Sequence, residues 1–295
     1  MGNLEYLAQS NDNANCVKCD ERYKFVDDLT VLEKINLLII GMASHNPHSQ
    51  IPNDILSNNK IIPAENLETQ KIINHIQQWT NNKKMILNEK KTKAMVFNFT
   101  KKHQFTTRLQ LKNKNIEIVN ETKLLGTIIS NDLKWHKNTQ FLVKKAWGRM
   151  QLLRSISSFK ASIKDKLDIY KKFIRSHAEQ SCTVWTSGLT KGNEKDIERI
   201  QKSAVRLILG KKYTTYSEAL EKLNIKTLKE RRKILCVKFA QKCLKEKKTK
   251  GMFRRNTKEH HMRTRYPKKY EETKARTMRM KNFTIPYMQK LLNSQ

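Results

Sequence analysis

Acidic residues are scarce in this chain: 27 Asp and Glu stand against 60 Lys and Arg, leaving a formal charge of +33 on 295 residues. Solubility asks for far less, and so large an excess selects a polyanion as partner. Lys and Arg that neutralise phosphates release condensed counterions, so binding of this kind is strongly salt-dependent. Cysteine is also scarce: five residues, an odd number, run from Cys16 to Cys243. That excludes a disulfide framework and points to a reducing compartment. The Cys16-Val17-Lys18-Cys19 pair has no second Cys or His pair nearby to complete a zinc site, and reads as two free thiols. Long apolar runs are missing: the longest, Leu37-Leu38-Ile39-Ile40, is far short of a bilayer span. The first ten residues are polar, without the basic start and apolar stretch of a secretory signal. The expectation is an intracellular protein, nuclear or cytoplasmic, with no membrane partner.

What is present is unevenly spread. Residues 1–34 hold four Lys/Arg and seven Asp/Glu, whereas residues 226–281 hold 22 Lys/Arg and five Asp/Glu. The basic stretch 245–281 reads equally as a solvated tail or as a binding surface. An apolar fraction of 38% is enough for a core confined to part of the chain. No repeat of fixed length emerges.

Periodicity divides the chain near Trp135. Before it, a polar loop over residues 41–63 leads to a helix over 67–79, where Leu67, Ile72, Ile73, Ile76 and Trp79 recur near helical spacing. A short strand follows over 94–99. Leu109-Gln110-Leu111 and Ile116 to Val119 flank a four-residue polar turn as a hairpin, and 123–129 adds another strand. After Trp135 the period is helical. Leu142, Ala146, Met150 and Leu153 form one stripe; Ile163, Leu167, Tyr170 and Ile174 a second; Ile197, Ile200, Ala204, Leu207 and Ile208 a third, closed by Gly210. All three read as core. A fourth helix over 228–244 is expected to bury Leu235, Phe239 and Cys243 and to expose Arg231, Lys238, Lys242 and Lys245.

The stretch that carries chemistry is Phe25-Val26-Asp27-Asp28. Tyr23-Lys24-Phe25-Val26 and Leu29-Thr30-Val31-Leu32 suit strands, and Asp27-Asp28 suits the bend between them. Adjacent carboxylates are hard oxygen donors of the kind Mg²⁺ takes, and phosphoryl transfer between nucleotides uses two such ions.

Four blocks, in order, give the sequence a resemblance to the C-terminal half of reverse transcriptases from non-LTR retrotransposons, the LINE-type elements of the jockey-like and related groups. Tyr23-Lys24-Phe25-Val26-Asp27-Asp28-Leu29-Thr30 resembles the aromatic-x-Asp-Asp catalytic hairpin of the palm. Leu87-Asn88-Glu89-Lys90-Lys91-Thr92 with Met95-Val96-Phe97 looks like the motif that follows it. Lys123-Leu124-Leu125-Gly126-Thr127-Ile128-Ile129 with Asp132-Leu133-Lys134-Trp135 resembles the Leu-Gly motif at the primer end. Ile197 to Arg206, Tyr216 to Leu220 and Leu235 to Phe239 look like the helical region after the palm. Coverage runs from about Tyr23 to Phe239.

The resemblance implies an α+β fold: a partial polymerase palm, a small antiparallel sheet with a helix, followed by an all-α thumb-like region. The expected organisation is a polar segment over 1–22, a palm over 23–135, helices over 136–244 and a basic tail over 245–295. The implied activity is RNA-directed DNA synthesis with Mg²⁺, deoxynucleotides, an RNA template and a DNA primer. Asp27 and Asp28 map onto the metal-facing acids. Lys91 maps onto a basic residue near the incoming phosphates, where a Lys can neutralise or protonate pyrophosphate; it also sits in a Lys cluster typical of an exposed turn. Leu125, Gly126 and Lys134, with Arg231, Arg232 and Lys238, are the candidate nucleic-acid contacts, although Gly126 also suits a simple bulge. Only 24 residues precede Phe25, so the family's fingers, its other aspartate-bearing strand and its endonuclease have no counterpart here. The expectation is a truncated reverse transcriptase, with an RNA or RNA–DNA hybrid binding remnant as the alternative.

Overall fold

The computed structural model describes residues 21–25, 28–32, 59–62, 68–98, 104–247, 249–256 and 268–294. Helices and small sheets are both present, so the chain is α+β. It divides into two compact units, Met1–Glu121 and Thr122–Gln295.

In the first unit, β1 (Glu21–Phe25) and β2 (Asp28–Leu32) form an antiparallel hairpin whose register runs from Glu21↔Leu32 to Phe25↔Asp28. β3 (Asn59–Ile62) pairs in parallel with β5 (Gln104–Thr107), and α1 (Glu68–Asn82) lies in the connection between them. A parallel pair needs such a crossover, whereas antiparallel neighbours need only a turn. β4 (Lys93–Ala94) pairs in parallel with β8 (Glu117–Ile118), and the cross-strand neighbours Lys93 and Glu117 form an ion pair of 3.5 Å. The single small antiparallel sheet expected from the sequence is thus corrected: the described strands form separate two-stranded ladders, two of them parallel.

Turn chemistry explains two further differences. The hairpin near Leu111 is tighter than expected, with β6 (Gln110–Leu111) against β7 (Lys114–Asn115). Lys112 and Asn113 both take positive φ, 50° and 62°, which is the backbone of a two-residue hairpin turn. Ile116 to Val119 therefore do not return along Leu111; Ile116 N–H donates to Leu109 O, and β8 moves on to β4. The expected strand over 94–99 likewise contracts to Lys93–Ala94 among the described residues.

α1 is anchored to β6 by side-chain amides that imitate a neighbouring strand. Gln70 Oε1 accepts from Gln110 N–H at 2.8 Å, and Gln70 Nε2 donates to Gln110 O at 2.9 Å. One turn pair further on, Gln77 Oε1 accepts from Lys112 N–H at 3.2 Å. Beneath these bonds Leu109 is buried with Ile73, Ala94 and Ile116 packed on it.

The second unit opens within β9 (Glu121–Leu124), which pairs with β10 (Thr127–Ser130). A two-residue link permits only antiparallel pairing. The single strand expected over 123–129 is therefore a hairpin, turned by Leu125 (φ 47°) and Gly126 (φ 83°).

Helices then dominate: α2 (His136–Ser158), α3 (Ile163–Ile169), a π-helical stretch Tyr170–Arg175 running into α4 (Ser176–Glu179), and α5 (Cys182–Trp185). Next come α6 (Lys191–Leu209), α7 (Tyr216–Lys222) and α8 (Leu228–Lys245). The stripe Leu142, Ala146, Met150 and Leu153 is buried against Ile197, Ile200, Ala204 and Ile208, with Tyr170, Ile174 and Trp185 completing one core. Ser181 at φ 50° breaks the chain between α4 and α5, and Trp185 ties the corner by donating its indole N–H to Gln180 O at 2.8 Å. Gly210, φ 53°, ends α6 as the sequence indicates. Its mirror-side backbone suits a residue with no Cβ.

Described parts of the C-terminal stretch build a second core. One face of α8, Cys236, Ala240 and Cys243, is covered by Phe253, Tyr270, Met288 and Leu292, the last two on α10 (Thr284–Asn293); α9 (Met278–Lys281) precedes it. Amide side chains close this core: Gln289 accepts from Thr273 N–H at 2.8 Å and donates to Met252 O at 3.1 Å, while Asn293 pairs both ways with the Tyr270 backbone.

Candidate functional site

The acidic hairpin has the form expected of two strands joined by a bend, with one shift. Phe25 pairs with Asp28, so Asp28 opens β2 and lies in the ladder instead of the bend. Val26 and Asp27 lie outside the described residues. Alternating β-branched and apolar residues, Leu29-Thr30-Val31-Leu32, keep the second strand extended directly after the acid. Among the described residues, no group of three or more His, Cys, Asp or Glu converges as a metal site. The Cys16 and Cys19 thiols are also outside the described residues.

Lys91 lies in the same unit on an exposed turn built by its own motif. Asn88 Oδ1 accepts from Lys91 N–H at 3.2 Å, and Asn88 O accepts from Thr92 Oγ1 at 2.9 Å. Glu89 reaches across to the β6–β7 turn, 3.0 Å from Lys114 Nζ and 3.3 Å from Lys112 Nζ. Those ammonium groups, Lys114 first, hold the Glu89 carboxyl below the usual carboxylate range. The Asn and Thr of this block therefore shape a loop, and the Lys91 side chain is left facing solvent.

The remaining candidates belong to the second unit. Leu125 is half exposed at the hairpin tip. Beside it, a Cβ on Gly126 would stand 2.3 Å from Gln180 Nε2, so the space a side chain would need is taken by Gln180 at the end of α4. Lys134 is exposed and pairs with Asp132 at 3.3 Å. Lys238 is exposed on α8.

Two arginines are corrected. Arg231 is not a free surface cation: its Nε and Nη2 donate to Glu179 Oε1 at 2.5 Å and Oε2 at 2.9 Å, a two-pronged pair that raises the guanidinium pKa. Arg175 stands 3.9 Å from the same carboxylate. Arg232 has no exposed surface, and none of its three guanidinium nitrogens has a hydrogen-bond partner. It lies over the Trp185 ring, 5.9 Å from the centroid, and burial pushes its pKa down. Cys243 is buried as expected, but Phe239, also expected in the core, is 45% exposed, and the buried face of α8 is completed by Leu228, Arg232, Cys236 and Ala240. The α8 stripe follows i, i+4 steps from Leu228, and a charged residue at one of those steps hid it from a hydrophobicity count.

The helical block of the resemblance carries a buried polar network that spacing could not show. Tyr170 donates to Gln201 Oε1 at 2.5 Å; Gln201 Nε2 donates to Tyr216 Oη at 2.9 Å and to Lys226 O at 3.0 Å; Tyr216 donates to Glu198. Burial pushes the Tyr170 hydroxyl well above its ordinary range. Glu198 also accepts from Leu228 N–H at 3.2 Å, joining α6 to the start of α8. Polar residues of the block thus fix where three helices meet.

Sequence reading found the basic charge concentrated over 226–281, read 245–281 equally as a tail or a binding surface, and overlooked α2. That helix carries five Lys/Arg and no Asp/Glu, and Lys144, Lys145 and Arg149 are exposed along it. The absence of acid over 23 residues was the available signal. Compared with family models, with curated proteins and with solved structures, the chain matches none.

Proposed function

We propose that this chain is a reverse-transcriptase-derived polypeptide that acts on an RNA–DNA hybrid, its ancestral reaction being RNA-directed DNA synthesis at Asp27 and Asp28. The observation that carries the reading is the β1–β2 hairpin, antiparallel and in register with Phe25 opposite Asp28, in a chain that also holds the three later blocks in order. The donor set suits the metal: two neighbouring carboxylates are the hard oxygen ligands Mg²⁺ takes. When bound, two such ions activate the attacking oxygen and stabilise the leaving one. The protein's own part is to hold Asp28 at the start of a paired strand, with Asp27 next to it in the sequence, to offer ammonium groups such as Lys91 to phosphate, and to bind the polyanion with its +33 charge.

Primer extension on an RNA template with Mg²⁺ tests the catalytic half: without fingers and the other aspartate-bearing strand the natural chain should incorporate weakly at most, and that incorporation should vanish with Asp27→Asn. Incorporation that survives the substitution would mean that the site is elsewhere. A second reading, hybrid binding without synthesis, is favoured by the acid-free basic helix α2 in the second unit. It requires that log affinity for a hybrid fall steeply with log salt, and a flat line would end both readings.

A further inference from the structure

The described C-terminal residues, 249–256 and 268–294, form a small lobe seated on α8. Phe253, Tyr270, Met288 and Leu292 do not close a core by themselves; Cys236, Ala240 and Cys243 of α8 complete it. α10 is ten residues long, and a helix so short does not persist in water without a surface to pack on. The lobe is therefore ordered by its seat. Gln289 and Asn293 bond within the lobe, to Thr273, Met252 and Tyr270, whereas Thr284 Oγ1 reaches outside it and donates to Val184 O at 2.8 Å.

Charge opposes this seating twice. Residues 249–295 hold 13 Lys/Arg against three Glu, and α8 holds seven Lys/Arg against one Glu, so the lobe and its seat repel each other. The second opposition is Arg232, one turn before Cys236 on the buried stripe of α8 and 5.9 Å from the Trp185 ring centroid. Thr284 sets the start of α10 on Val184, next to that Trp, and Tyr287, one turn further along, packs on the cluster that contains Cys236. Burial, then Cys236 and Glu194, push the Tyr287 phenol up to about 12, and Arg232 acts against them. The guanidinium beneath has no hydrogen-bond partner for any of its three nitrogens among the described residues.

We infer that the C-terminal lobe is a separable cap on α8, held shut by apolar contacts and loaded towards opening by the buried Arg232 charge and by like-charge repulsion. Lifting it returns water to the guanidinium and uncovers Cys236 and Cys243. α8 itself stays on the main core, to which Leu228 and Leu235 belong. Segments with few buried apolar residues open without global unfolding; the lobe's cluster holds seven against 18 in the main core. Salt sets the position of the cap, because screening weakens the repulsion and favours the shut state.

Maleimide labelling read residue by residue by mass spectrometry, together with amide hydrogen exchange on the full chain, tests this. Cys236, Cys243 and the α10 amides should react through openings about tenfold or more as frequent as those that expose the α6 amides. Moderate NaCl should slow the labelling. Arg232→Met should slow it about tenfold, because an unmade bond to a buried charge is removed from the shut state. Leu292→Ala, which takes apolar contact from the lobe, should speed it about tenfold or more with the α6 amides still protected. If Cys236 and Cys243 label only as often as α6 opens, in the natural chain and in Leu292→Ala alike, lobe and core are one cooperative fold and the cap is refuted. Labelling that is unchanged or faster in Arg232→Met, or faster in salt, would overturn charge as what loads it.

Discussion

At the scale of single residues, Arg232 is the most costly placement in the described chain. Its guanidinium is wholly buried and makes no hydrogen bond, and its nearest charge partners, led by Glu198 and Glu194, act only through space. An unmade hydrogen bond to a buried charged group costs more than an ordinary bond returns. Replacement by an apolar side chain of similar length should therefore help: Arg232→Met is expected to stabilise the chain by about 1–3 kcal/mol in urea unfolding. A loss of stability would show instead that the guanidinium is anchored. No sequence rule could have found this, because Arg231 and Arg232 are adjacent and chemically alike. A turn of about 100° along α8 puts one on Glu179 and the other in the core. Gly126 teaches a related lesson. Its positive φ was missed because 123–129 reads as one strand, and the Gln180 side chain that occupies the space beside it comes from 54 residues further along the chain.

At the scale of elements, the start of α8 shows how a helix can be fixed by both near and distant groups. Thr227 Oγ1 accepts from Glu230 N–H at 3.1 Å and Glu230 Oε2 accepts from Thr227 N–H at 3.2 Å, a reciprocal cap, while Glu198 on α6 takes the Leu228 N–H. Such caps satisfy donors that the helix itself leaves unpaired. Thr227→Ala should cost about 1 kcal/mol, with Tm falling and the helical signal at low temperature retained; an unchanged Tm would mean that Glu198 alone holds the end. α2 and α6 were legible because buried apolar residues recur along each at helical spacing, although Asn138, Thr139, Asn193 and Gln201 are buried on them as well. The short strands were not. Two-residue ladders such as β4–β8 are set by partners more than 20 residues apart, and alternation over so few residues is no signal. Nor was the second core: Phe253 and Tyr270 stand among cations in the sequence, and they meet Met288 and Leu292 of α10 only by packing on α8.

At the scale of the whole molecule, charge sets both the partner and the limits of stability. A net +33 repels itself in the compact state, and salt screens that repulsion over roughly 10 Å at 0.1 M. Tm is therefore expected to rise as NaCl goes from low to moderate concentration, the opposite of the trend expected for hybrid affinity. Acid acts the other way. Lys268 first, then Asn293, hold the Glu272 carboxyl below its usual range, and the Thr214 and Thr215 hydroxyls do the same for Glu218. A carboxyl whose folded-state pKa is depressed contributes stability above its unfolded value, and loses it as pH falls through the folded one. Protonation also removes the 27 negative charges that partly offset the cations. Stability should consequently fall steeply below about pH 4.5, and more steeply at low salt than at high. Thermal melts across pH 3–7 at two salt concentrations check this. Curves that coincide at both salts would mean that self-repulsion is not what limits the fold, and that the cations are already balanced by pairing within the protein.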